Sequence, residues 1–275
     1  TLLGVVLGVL GIGAVVLAAA SGMRITLAGR AQEPRRTSAG GLVAGVAALV
    51  VVVAVVVVCS LPALGALFSG GPATALRTQF ITWVPGLIGA LVSVGIAYLA
   101  ALGIGGLRPL GRGSEWLLLA FAPWLFVGTG PLSIAFWRDL YNLSLLDKFV
   151  GLIPPVLVSV PALLVLTLLC KGLAERAEGD FVNGVLLPSL PMAGIMAGAV
   201  TLVNVADLLW PLLAAQDEGL AVAPVLLVKR LTSFLPPGTG LSLTPLVLVL
   251  VVAAVAVAAQ LLYLDRLRLT VGRAR

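Results

Sequence analysis

Apolar residues run along this chain in long blocks separated by short polar stretches. A helix needs about 20 apolar residues to cross the hydrocarbon core of a bilayer. Seven blocks reach that length, roughly 2–21, 41–68, 83–106, 115–137, 149–170, 188–215 and 242–263. The second block contains the valine-rich run 48–58, a composition that suits a strand, but its uninterrupted length favours helix in lipid. The pattern therefore predicts an all-α, polytopic transmembrane helical bundle of about seven spans. The stretch 30–40 is the most linker-like. It divides the chain into 1–40, an N-terminal span with a basic linker, and 41–275, a six-span domain. Pro123, Pro131, Pro154, Pro155, Pro161, Pro188 and Pro191 punctuate the spans, as kinks in membrane helices allow.

Composition agrees with the pattern. Hydrophobic residues make up 60% of the chain and charged residues 10%, where a soluble domain has about 25% charged. The mean hydropathy is +1.18. Net charge of +6 raises the question of a nucleic-acid partner, and the loops answer it. With 22–40, 107–114, 171–187 and 264–275 placed inside, the inner loops carry 12 Lys and Arg and the outer loops 5. That is the positive-inside bias of a membrane protein, so the charge reads as orientation and no nucleic acid is implied. The acids split more evenly, six inside (counting Glu115 at the edge of a span) and four outside. The N-terminus is then outside and the C-terminus cytoplasmic. The opening Thr1 suggests a processed or internal start. A signal peptide fits the first block poorly, because no basic segment precedes it and Arg24 and Arg30 follow it.

Candidate chemistry is sparse. The chain has no histidine, which excludes a Ser-His-Asp triad and a His-ligated zinc site. No Gly-x-x-x-x-Gly-Lys-Ser/Thr sequence is present, so the chain is not itself an ATPase. Neither a catalytic residue, a metal site nor a cofactor is expected. Cys59 and Cys170 read as separate buried thiols. Asp207 is the one carboxylate inside an apolar block, and an ionisable group at membrane depth usually faces a cavity or a partner. Asn204, Asp207 and Trp210 fall at i, i+3 and i+6, a stripe along one helix that could hydrogen-bond hydroxyls and stack on a sugar ring. A structural reading competes equally: Asp207 paired with another helix or hydrated near the interface, with Trp210 as a belt residue. In the inner loop, residues 173–178 favour helix up to Gly179. The plain reading is a solvated connector. The sharper one is a short amphipathic helix presenting Leu173, Ala174 and Ala177 to a cytoplasmic partner.

Four stretches give the second half a resemblance to the permease subunit of carbohydrate-uptake ABC transporters of the maltose-permease type. They are 139–154, the loop 171–187 ending at Leu187-Pro188, the segment 204–212, and the last span with its basic end. Loop 171–187 is similar to a degenerate form of the family's EAA loop. Leu173 stands at the position of that motif's Glu if Gly179 is its glycine, and seven residues separate Gly179 from Leu187. The resemblance implies a six-helix permease core in a bacterial inner membrane, importing a sugar or related polar solute by alternating access. It implies Asn204, Asp207 and Trp210 on the substrate path, and Leu173, Ala174, Glu175, Ala177, Glu178 and Gly179 at the ATPase-coupling loop. The implied partners are a second permease subunit, cytoplasmic ATPase subunits, an extracytoplasmic solute-binding protein and membrane lipid. Three other readings compete: a proton-coupled transporter with Asp207 as carrier, a non-transporting scaffold, and a lipid-modifying enzyme using Asp139 and Asp147 or Glu175, Glu178 and Asp180.

Overall fold

The computed structural model describes residues 72–123, 129–177, 180–234, 241 and 243–259, scattered helical positions between 47 and 65, and two strands at 23–29 and 267–273. The expected first span and the linker at 30–40 lie outside the described residues. Helix dominates the rest. In chain order the elements are β1 (Met23–Gly29), α1 (Pro72–Ala101), α2 (Thr129–Asn142), α3 (Val160–Ala174), α4 (Leu187–Ala206), α5 (Leu209–Ala214), α6 (Ala223–Thr232), α7 (Thr244–Ala259) and β2 (Leu267–Arg273). A π-helical segment, Leu102–Leu107, continues α1, and another, Val182–Leu186, leads into α4.

Two of the resulting helices, Ala73–Leu107 and Val182–Ala206, are long and apolar enough to cross a membrane. Large apolar side chains are exposed along both, among them Leu91, Leu99 and Leu190. α1 packs most extensively on α4 and then on α3, while α7 lies against α4. Two separate apolar clusters result. One gathers Val94, Tyr98, Leu102, Leu163, Leu166 and Met192 around the later half of α1. The other gathers Ile81, Leu152, Val222 and Val225 near its start.

Among the described residues, two of the seven expected spans are interrupted. Block 115–137 opens within a 3-10 helix, Gly111–Phe121, and closes within α2, with 124–128 outside the described residues. Block 149–170 begins as a short turn, Phe149–Leu152, and runs extended before α3. Pro154 and Pro155 explain this, since the residue before a proline is pushed out of the helical region and Ile153 has ψ 123°. Block 188–215 breaks at Asp207, which is extended with φ −68° and ψ 133°. Pro211 supplies the cause: it lacks the N–H that would bond the Asp207 carbonyl four residues back, and its ring would clash with that carbonyl.

The strands are a second departure, because 22–40 reads as a loop and 264–275 as a tail. They pair antiparallel from Met23↔Arg273 to Gly29↔Leu267, and β1 also packs against α3. The alternation in Arg24-Ile25-Thr26-Leu27 and Leu267-Arg268-Leu269-Thr270-Val271 is the period-two signal of a strand.

Candidate functional site

The two breaks meet. A cavity of about 210 Å³ is lined by Ser133 from α2, by Pro154, Pro155 and Val156 from the extended segment, and by Val203, Asn204, Ala206 and Asp207 at the end of α4. Non-helical backbone at membrane depth is tolerated where it lines a cavity or is buried in protein. Glycines on α1 bring that helix close. A side chain at Gly89 would meet Pro154 Cδ at 2.8 Å, and one at Gly86 would meet Val205 at 3.0 Å. The Asn204 amide nitrogen donates to the Gly86 carbonyl oxygen (3.0 Å), which fixes the side chain across the helix contact. Along α1, Gly86 and Gly89 lie between Ile81 of one apolar cluster and Val94 of the other. On the cavity rim Val203 is 69% exposed.

Of the expected stripe, Asn204 and Asp207 share this cavity and Trp210 does not. Because the helix breaks at Asp207, Trp210 belongs to α5, where it is only 2% exposed and is absent from the cavity lining. Its indole N–H finds no partner among the described residues. Stacking on a bound ring, as the unbroken helix suggested, is closed to it. Asp207 Oδ1 accepts the backbone N–H of Leu209 (3.2 Å), so the carboxylate also opens α5. Ser133 and the Pro154-Pro155 wall are site members that the periodicity did not single out.

The inner loop is built differently from the expectation of an exposed coupling helix. Residues through Ala174 extend α3, with Glu175 as its C-cap. Leu173, Ala174 and Ala177 are partly buried against the larger apolar cluster and are not turned outward. A side chain at Gly184 would collide with Ala177, so the following helix presses on this corner. Glu178 and Gly179 lie outside the described residues. Asp180 accepts the N–H groups of Val182 (3.0 Å) and Asn183 (3.2 Å) and caps the helix that becomes α4. The Asn183 side-chain amide, above all, holds the Asp180 carboxyl below its usual range.

An ion-pair network missing from the sequence reading closes the same end. Lys171 of α3 pairs with Glu115 of the 3-10 helix, the two being 3% and 5% exposed. Arg108, at the end of the π segment, reaches Glu175 at 3.4 Å and Glu115 at 3.8 Å. The Arg108 backbone is left-handed, with φ 48°. Gly105 lets the helices approach here, since a side chain there would meet the Thr167 carbonyl. At the opposite end Asp147 Oδ1 accepts the N–H groups of Gln216 (2.6 Å) and Asp217 (2.9 Å). These two bonds tie the two loops expected outside. Among the described residues, no three His, Cys, Asp or Glu gather to hold a metal, and Cys170 is free and buried. Cys59 lies outside the described residues. Compared with family models, with curated proteins and with solved structures, the chain matches none.

Proposed function

We propose that this chain is the membrane-embedded permease subunit of an ATP-driven importer for a sugar or related polar solute, working by alternating access. The observation that carries this reading is the cavity where two interrupted segments meet, with Asn204 and Asp207 on its wall and an apolar cluster on either side along α1. Discontinuous helices meeting at a central site are a recurrent device for solute binding in transporters. The grouping of loops into two sides has support apart from their charges, while the charges alone say which side is inside. Loops assigned to one side touch one another: Arg108 with Glu175, β1 with β2, and Asp147 with Gln216. The proposal includes seven spans, an outside N-terminus, a bacterial inner membrane, and an ATPase and solute-binding protein as partners. The exposed rim at Val203 offers the side on which a second permease subunit closes the cavity.

The test is uptake into proteoliposomes carrying the full chain and the ATPase that co-purifies with it. Solute-stimulated ATP hydrolysis with uptake of at least one labelled sugar is expected. If no mono- or disaccharide in a broad panel stimulates either, the reading fails. A second reading, proton-coupled transport or a non-transporting scaffold, is favoured by the inward packing of Leu173, Ala174 and Ala177, which withdraws apolar surface from an ATPase. Uptake that follows an imposed proton gradient and ignores ATP would select the proton-coupled form.

A further inference from the structure

We infer that the cavity selects a solute carrying a protonated amine over a neutral or anionic one of the same size. This deepens the permease reading and rests on its assignment of the cavity as a solute site. The charged side chain on the wall is a carboxylate, and the neutral polar ones, Asn204 and Ser133, can each donate and accept. Asp207 brings a carboxylate, of which Oδ1 takes the Leu209 N–H while Oδ2 carries no hydrogen bond among the described residues. No Lys or Arg lines the cavity, and among the described residues Asp207 has no ion-pair partner. The Asn204 amide gives one of its two N–H groups to the Gly86 carbonyl, which leaves Oδ1 as an acceptor and one N–H as a donor. Pro154 and Pro155 have no backbone N–H to offer.

The helix end adds to the same sign. α4 terminates at Ala206, so its last carbonyls and the negative end of its dipole lie at the site. An anion would meet a carboxylate and a carbonyl-rich helix end, with no cationic side chain on the wall to offset them. A neutral hydroxyl could donate to the same oxygens. An ammonium does so with a full charge, and charge-assisted hydrogen bonds are roughly twice as strong as neutral ones.

Equilibrium binding to the full chain in nanodiscs tests this with glucosamine, glucose and glucuronate, which share a ring and differ in charge, and with methylammonium as a small probe. Glucosamine should bind on the order of tenfold tighter than glucose, and glucuronate weakest. Asp207→Asn should bring glucosamine down to the glucose value, whereas Asp207→Glu should keep most of the preference. Equal binding of glucose and glucosamine, or a preference that survives Asp207→Asn, overturns the charge inference and leaves the cavity a solute site. Failure of all four probes to bind removes the site itself and the permease reading with it.

Discussion

Lys171 and Glu115 show how much one residue can matter in a chain with so little charge. Both are buried, and each is the other's compensation. Removing one partner of such a pair strands an uncompensated charge, whereas replacing both with apolar groups of similar volume is often neutral or better. Lys171→Met should cost ~3 kcal/mol in unfolding free energy. The low end of the usual span applies because Arg108 stands 3.8 Å from Glu115 and takes up part of its charge. Adding Glu115→Leu should restore most of the loss, and a detergent-phase unfolding series would show it. Equal damage in the single and double variants would refute the pairing account. Asp180 behaves differently because it is solvent-facing. Its folded-state pKa is lowered, chiefly by Asn183, so its capping contribution is complete above the ordinary carboxylate value of about 3.9. That contribution is lost as pH falls through the lowered value. Amide exchange at Val182 and Asn183 should accelerate in that acid window, and Asp180→Ala should abolish the pH dependence.

At the scale of elements, close helix contact depends on particular glycines. A side chain at Gly105 would meet the Thr167 carbonyl, whereas one at Gly103 meets nothing within 4 Å. Gly105→Val should therefore destabilise by about 2 kcal/mol, the usual cost of overpacking, by prising the π segment from α3. Gly103→Ala, two residues away, should be neutral or stabilise by up to ~1 kcal/mol. Thermal unfolding of the two variants separates them, and equal effects would contradict the contact. The apolar blocks made the long helices readable, since α4 starts with a predicted span and α1 overlaps one, although α1 begins at Pro72 within the stretch 69–82 expected as a loop. Hydropathy carries no information on where a helix breaks, so two blocks read as continuous where the backbone is not. The breaks had their own signals in Pro154-Pro155 and in the four-residue spacing from Asp207 to Pro211. The site was half legible for the same reason. Asn204 and Asp207 were found by their polarity, but Trp210 was placed with them by a helical period that ends at Asp207. The Lys171–Glu115 pair was hidden because its members lie far apart in sequence and were read only as loop charges.

At the scale of the whole molecule, the loop-to-loop contacts sort with the side assigned by charge, and this makes the orientation directly testable. With Cys59 and Cys170 replaced by Ala, a cysteine at exposed Ser144 should react with an impermeant maleimide in intact cells. One at exposed Arg176 should react only after permeabilisation. The reverse pattern would invert the topology. The antiparallel ribbon of β1 and β2 has a bearing on how the chain is made. Met23 registers with Arg273, so the pairing joins segments from nearly opposite ends of the sequence. During synthesis at about 5–20 residues per second, β1 waits on the order of 10–50 s for its partner to be translated. For that interval it presents an unpaired edge, the kind of surface that invites pairing with another chain. The ribbon is therefore a late clasp, closing only after every helix between its strands has been translated. A ribosome-stalled chain ending before Leu267 should hold its helices while leaving β1 open to capture.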